Sequence, residues 1–409
     1  MLKNALKQHL NVKAASSFFN QRRITQAFSG LRRFNSIVVA VSGGGDSMAL
    51  LLMLKQHLGE NQTLTAVTIN HQLRAGAASE AVKVKSWCKI LGVAHKTLNW
   101  KHDEITSSFQ AKARAARYNL LAQHCAKYRI EALLTAHTLE DQAETVAMRM
   151  ARTASPKSLA AIWPESKRDG YTLIRPLLSF RRAELREFLI AQNQLWIEDP
   201  SNSDLRFERA RLRAEGVDPA LAKTAHTSQR LMVAAIAKAK YWAQQHSRQD
   251  ASSMVQFYCE TLLSLPVQAQ DEALVYLIAS VGGKAPELAK RISMLEWLQN
   301  QNELRRSFAG TIFARRKNMI YVGREPSRIN ADTAALSPTA PLLWDNRYQA
   351  VGPKGSTIVL KSALKQLKRI KTLPAFVDAG LPIIVLNGKL LATPFESHHP
   401  KAKLNLAYK

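Results

Sequence analysis

The sequence predicts an α/β fold: a doubly wound parallel sheet, then a mostly helical middle domain and a small basic α+β domain. Three observations predict it. Short β-branched runs alternate with longer amphipathic stretches through the first half, as repeated βα units require. After about Arg213 the pattern turns Ala-, Leu- and Gln-rich, as in "LMVAAIAKAKYWAQQ" and "DEALVYLIASVGG". From Trp344 onward lysine dominates a short terminal module. The boundaries drawn from these changes are 1–213, 217–325 and 344–409, with the Ser-, Pro- and Asn-containing "PSRINADTAALSPTAPLL" read as a linker.

At 409 residues the chain has room for two or three cores. Its formal net charge of +27 and pI of about 10.2 favour a polyanionic partner, with RNA, DNA and an anionic membrane surface all admitted. No apolar run is long enough for a spanning helix. The three cysteines, Cys88, Cys125 and Cys259, form no C-x-x-C pair, which argues against a disulfide framework or a Cys-rich metal site and for a reducing compartment.

The chain opens without an acidic residue before Asp46, its lysines and arginines interleaved with Ser and apolar positions. An organellar transit peptide has that composition. An ordinary amphipathic helix fits too, with Phe18, Phe19, Ile24, Phe28 and Leu31 at roughly helical spacing. Strands are expected at Ser36–Val41, Leu64–Ile69, Ala94–Trp100 and Ala132–Ala136, each followed by a helix, with ligands at their carboxyl ends. A hairpin is expected in "GTIFARRKNMIYVGRE".

The first strand runs into "SGGGDS", Ser42 to Ser47, and restarts as a helix. Bare backbone amides of Gly43, Gly44 and Gly45 and a helix N-terminus then surround one point, a site for phosphate, with Ser42 and Ser47 adding hydroxyls. The loop is neither a Walker A motif nor a G-x-G-x-x-G fingerprint. A carboxylate beside phosphates is repulsive unless a divalent cation lies between them, so Asp46 is assigned to Mg2+. Further on, "LLTAH" reaches a strand end, which puts His137 at the same edge, and Asp141 and Glu144 share one face of the helix that follows. Paired carboxylates in a cleft suit an ammonium group; a Thr138–Asp141 capping box is compatible with the same spacing. Arg114 and Arg117, three apart on the preceding helix, are either solvated or aimed at phosphate.

These stretches resemble a known family. "SGGGDS" matches the S-G-G-x-D-S loop of the N-type ATP pyrophosphatases, the PP-loop superfamily of adenine nucleotide alpha hydrolase-like fold. "INHQLRAGAASEA", "QAKARAARYNLL", "LTAHTLEDQAET", "IRPLLSFRRAELREFL" and "IEDPSNSDLRFERARLR" resemble, in order, segments of the tRNA(Ile)-lysidine synthetases. Asn70 and Glu140 stand where that family has Asp, and Ala210 where it has Asn. The resemblance implies use of ATP and Mg2+, adenylation of a wobble cytidine in a CAU-anticodon isoleucine tRNA, and attack by free L-lysine in the cytoplasm; a homodimer is compatible with it. It assigns the loop residues, His71 and Arg74 to the nucleotide, and Asp46, Arg114, Arg117, His137, Asp141 and Glu144 to catalysis, with Asp141 and Glu144 orienting the amino acid. In the terminal module, from residue 354 onward, Lys354, Lys361, Lys365, Lys368, Arg369, Lys371, Lys389, Lys401, Lys403 and Lys409 face only Asp378 and Glu396, which suits phosphate contact or a solvated face. The stretch "KSALKQLKRIKTLPAFVDAGLPIIVLNGKLLA" resembles the family's small C-terminal domain, which implies a grip on the tRNA acceptor stem. A thiolase sharing the loop needs catalytic or cluster-bound cysteines, whereas Cys88 and Cys125 fall inside expected helices. A ligase acting on a small acid, or a tRNA-binding protein with a decayed loop, are the other readings; the extra basic domains and the intact motifs argue against them.

Overall fold

The computed structural model describes residues 21–71, 76–101, 109–198, 206, 208–300, 303–329, 333–345, 347–364 and 366–407. The chain divides into two compact units, Met1–Gln229 and Arg230–Lys409. The expected domains 217–325 and 344–409 therefore share the second unit, apart from 217–229.

The first unit is built on a six-stranded sheet in the order β3-β2-β1-β4-β6-β5. Its strands are β1 (Ser36–Ala40), β2 (Thr63–Asn70), β3 (Ala94–Asn99), β4 (Ala132–Leu134), β5 (Glu165–Arg168) and β6 (Tyr171–Ile174). All neighbours run parallel except β5, which turns back on β6. Successive residues of a strand face opposite sides, and the core follows that rule. Ile37 and Val39 face one layer with Met48 and Leu51, while Val38 faces the other with Leu121, Cys125 and Leu133.

The helices of this unit are α1 (Gln21–Phe28), α2 (Gly45–His57), α3 (Ala77–Ile90), α4 (Phe109–Tyr128), α5 (Leu139–Met150), α6 (Pro156–Leu159), α7 (Arg182–Ala191) and α8 (Glu208–Glu215). Every residue of α2 from Met48 to Leu54 is buried, which its run of apolar residues on all sides requires. In the N-terminal segment Ile24, Phe28 and Leu31 are buried in the same core as α2, so the amphipathic reading holds from residue 21 onward and these residues are part of the folded unit. Phe18 and Phe19 lie outside the described residues.

The β5–β6 hairpin has no counterpart among the expected strands. "ESKR" is an edge strand without an apolar residue, and "YTLI" is four residues long and buried throughout, so neither shows a period-2 pattern. The chain leaves β1 for β2 on one side and adds β4 on the other, which makes the β1/β4 edge the topological switch point of the sheet.

In the second unit, helices α9 (Leu221–His246, which begins in the first unit), α10 (Cys259–Leu263), α11 (Val267–Ser280) and α12 (Leu288–Gln299) accompany a five-stranded antiparallel sheet. Its strands are β7 (Ser247–Gln249), β8 (Val255–Tyr258), β9 (Arg305–Phe308), β10 (Thr311–Arg316) and β11 (Met319–Arg324), and β10–β11 is the expected hairpin. Trp242, Phe257, Leu274, Trp297 and Phe313 form the core. The terminal part adds β12 (Ala334–Ala335), β13 (Leu342–Trp344), β14 (Tyr348–Val351), β15 (Thr357–Leu360), helix α13 (Ala375–Ala379), β16 (Pro382–Leu386), β17 (Lys389–Ala392) and β18 (Lys403–Leu406), arranged as one four-stranded and one three-stranded sheet.

Two details differ from expectation. The expected linker carries β12, paired with β15, and buries Ile329 and Leu336, because isolated apolar residues among Ser and Pro can still be core residues. Lys361 is buried rather than surface-exposed, its ammonium bonded to Asp378 and to the Lys368 carbonyl at 2.9 Å. Lys354, Lys368, Arg369, Lys371, Lys389, Lys401 and Lys403 are exposed; Lys365 and Lys409 lie outside the described residues.

Candidate active site at the switch point of the sheet

The glycine loop is a closed turn. Gly43 has φ +92°, and a Cβ there would come within 2.7 Å of the Ile197 side chain and 2.9 Å of Val84, so conformation and packing both demand glycine. Its carbonyl accepts the Ile197 amide at 2.9 Å. Gly44 caps α2, and the Ser47 hydroxyl donates back to the Gly44 carbonyl at 2.8 Å while accepting the Ser42 amide at 3.2 Å. The hydroxyls of Ser42 and Ser47 lie 3.3 Å apart. The first amides of α2, at Gly45 and Asp46, have no acceptor within the helix and carry the positive end of its dipole. Ser42 through Ser47 thus gather two hydroxyls and the free amides of a helix N-terminus around one turn.

Across the switch point, β4 ends at Leu134 and α5 begins after Thr138. Thr138 and Asp141 form the capping box: Asp141 Oδ2 accepts the Thr138 amide at 2.9 Å, and Thr138 Oγ1 accepts the Asp141 amide at 3.4 Å. Glu144, one turn on, is 2% exposed. Capping and site formation coexist here, because the second Asp141 oxygen points away from the cap.

Both carboxylates are held by arginines. Arg182, the first residue of α7, bonds Asp141 Oδ1 at 2.6 Å and Glu144 Oε1 at 3.0 Å, and its Nε lies 3.4 Å from Asp46 Oδ2. Arg213 adds bonds to Glu144 at 2.7 and 3.2 Å. Glu140 accepts the Arg182 backbone amide at 3.1 Å with each oxygen. The three assigned acids, Asp46, Asp141 and Glu144, are therefore gathered around one guanidinium.

Their electrostatics differ. Burial pushes the Asp46 carboxyl up to about 6; Arg182 opposes this, and nearby Asp141 and Glu140 reinforce it. Burial acts on Asp141 in the same sense, but Arg182, the Thr138 amide and His137 outweigh it and hold the group below the ordinary carboxylate range.

His137 hydrogen-bonds Thr135 Oγ1 through Nδ1 at 3.0 Å. Burial pushes its pKa down to about 3, Asp141 opposing and Arg175, Arg117 and Arg114 assisting, so the ring is neutral at pH 7. Arg114 and Arg117 each lie 5.2 Å from the Tyr118 ring. Burial would raise the Tyr118 phenol, but Arg114, Arg117 and Arg175 lower it below its usual value. The two arginines of α4 are thus brought to the His137 side of the site. His71 lies after β2 at the same sheet edge, its ring 5.8 Å from Trp100. Arg74 lies outside the described residues.

Arg182, Arg213, Arg175 and Tyr118 were missed as site residues by sequence reasoning. A signal existed for Arg182: Arg at the first position of a helix opposes the helix dipole and needs acidic partners from elsewhere. Arg175 and Arg213 lie inside the family-like segments, but no periodicity or spacing marked them as site residues. The cysteines are free and buried, and burial pushes Cys88 and Cys125 up to about 11, far from a reactive thiolate. Among the described residues no group of three or more His, Cys, Asp or Glu could hold a metal ion unaided, and no helix is long and apolar enough to cross a membrane.

A parallel sheet whose switch point joins a Ser-Gly-Gly-Gly-Asp-Ser cradle to a buried acid pair defines the class of PP-loop, ATP-using domains, and the PP-loop domain family model matches residues 17–220. The chain is 32% identical over 393 residues to a tRNA(Ile)-lysidine synthase of Mesorhizobium japonicum, covering 90% of this chain and 84% of the relative. It is 30% identical to that of Wolbachia pipientis wMel, over 96% of this chain and 92% of the relative. A third, from Rhodopseudomonas palustris, is 42% identical over 47% of this chain and 58% of its own length. The chain belongs to the tRNA(Ile)-lysidine synthase family.

Proposed function

We propose that this chain is a carbon–nitrogen ligase that joins L-lysine to C2 of the wobble cytidine in a CAU-anticodon isoleucine tRNA, so that AUA is read as isoleucine. The observation that carries the reading is the meeting of the glycine loop and the acid pair through Arg182: Asp46 and Asp141 lie 3.4 and 2.6 Å from one guanidinium. A phosphate cradle and a seat for a cation are thereby side by side, as a reaction between ATP and an amine requires.

In the first step the cytidine C2 carbonyl oxygen attacks the α-phosphorus of ATP and pyrophosphate leaves. The amides of Gly45 and Asp46 and the hydroxyls of Ser42 and Ser47 hold the departing charge. Mg2+ fits this site: Asp46 is a partly exposed carboxylate crowded by other acids, and Mg2+ takes one or two carboxylates plus phosphate oxygens and water rather than an all-protein cage. Asp46 would hold the ion, which when bound neutralises phosphate charge. Arg114 and Arg117 would face the charge that develops on the transferred group, and His71 would meet the base or ribose, a role that the family resemblance also gives Arg74.

In the second step the ε-amine of lysine forms the C2–N bond and AMP leaves. Asp141 and Glu144 receive the cationic amino acid and orient it. The attacking ammonium first loses a proton. With its basicity pushed down to about 3, His137 serves as a neutral hydrogen-bonding group, and the proton leaves to another acceptor. Buried, weakly acidic cysteines favour a nitrogen nucleophile over sulfur transfer.

The exposed lysines and arginine of the terminal module contact tRNA phosphates in this reading, and the enzyme works in the cytoplasm with its tRNA. The reading is compatible with a homodimer. The test is incubation with Mg2+-ATP, labelled lysine and separate isoacceptor tRNAs. Base-stable label confined to the CAU-anticodon isoleucine tRNA is the expected result. Absence of label alongside tRNA-stimulated pyrophosphate release would overturn lysine as the nucleophile.

A further inference from the structure

We propose that Arg182 is a positioning residue that couples occupancy of the glycine loop to affinity for the amino acid, an inference that rests on the function proposed above. Its backbone is pinned by both Glu140 oxygens at 3.1 Å, so the side chain works from a fixed base. The guanidinium is a planar fork whose donors reach three carboxylates at once. Two of these, Asp141 at 2.6 Å and Glu144 at 3.0 Å, are the groups that a substrate ammonium would contact. The third, Asp46 at 3.4 Å, belongs to the loop.

The three carboxylates hold the guanidinium jointly, each through a different nitrogen. A divalent cation arriving with the nucleotide takes the charge of Asp46 and leaves Arg182 with two partners. The ammonium then contends for Asp141 and Glu144 against a more weakly held guanidinium. Arg213 stays on Glu144 at 2.7 Å and near Asp141 at 3.6 Å, so the acids remain in place while Arg182 shifts. Loading of the loop therefore raises lysine affinity, and by linkage lysine raises nucleotide affinity by the same factor.

The test is calorimetric titration of L-lysine into the full-length protein, with and without Mg2+ and α,β-methylene ATP, in the absence of tRNA. In the wild type the nucleotide should tighten lysine binding by about fivefold or more. In Arg182→Met the two affinities should coincide. Retention of the wild-type ratio in that variant overturns the proposal. Should circular dichroism show Arg182→Met unfolded, Arg182→Lys decides: it keeps one charge but loses the fork, and an unchanged ratio overturns the coupling. Lysine binding in the wild type without any effect of nucleotide overturns the coupling alone. No lysine binding under either condition overturns the amino-acid assignment, and the coupling with it.

Discussion

Asp46 sits where three influences meet, and its behaviour follows from their balance. Burial and the neighbouring acids raise its pKa to about 6, so at pH 7.5 it is mostly ionised and at pH 5 mostly protonated. A metal needs the ionised form and competes with the proton for it. The Mg2+ concentration required for half-maximal pyrophosphate release should therefore rise as pH falls through 6, by about tenfold per unit below it; a Mg2+ requirement flat from pH 7.5 to 5 would remove Asp46 from the metal. Asp46→Ala should abolish pyrophosphate release while leaving tRNA binding nearly intact, as seen by filter binding. The cysteines provide the opposite kind of test. Cys88→Ala with Cys125→Ala should keep full ligation activity and lower stability by about 1 kcal/mol each through poorer packing, measured by chemical denaturation. The loop glycines, Asp46, His137 and the acid pair were legible because each sits at a strand end or at helical spacing. Arg182 and Arg213 were not, because an arginine's reach is long and the two lie 38 and 69 residues from Glu144 in the chain.

At the scale of elements, α5 carries cap and site on the same turn. Thr138 is fully buried and its hydroxyl satisfies the Asp141 amide. Thr138→Ala should cost about 1 kcal/mol in denaturant unfolding, and Thr138→Ser should recover most of it. Equal stability of the two variants would show the cap to be idle. Strand boundaries agreed with expectation to within a residue or two where a strand is central and apolar, as β1 and β2 are. The β5–β6 hairpin escaped because an edge strand has no buried face to impose a pattern and a four-residue buried strand is too short to show one.

At the scale of the whole molecule, the excess of positive charge serves partly to hold the structure together. Lys361 is tied to Asp378, and Arg347 to Asp345 at 2.7 Å and Ser253 at 2.8 Å, so neither is free for phosphate. Within the second unit, Met254 and Ile312 pack with Leu373, Phe376, Val377 and Leu381, which makes one body of parts that the sequence divided by a linker. Lys368, Arg369 and Lys371 stay exposed, and under the proposed function they meet tRNA phosphates. Neutralising these three should raise the tRNA KM and flatten its salt dependence, by about one unit of slope for each phosphate that the protein no longer neutralises; an unchanged slope would exclude the patch.

By itself the sequence determined the parallel sheet, the glycine turn at a helix N-terminus and the presence of acids on one helix face, because each depends on residues close together in the chain: a strand's period, a run of glycines, a three-residue spacing. What tertiary structure alone decided is how those acids are neutralised. Gathering three carboxylates, two of them buried, is unfavourable unless cations converge on them, and the cations come from α7 and α8, elements brought to the switch point only when the sheet is complete.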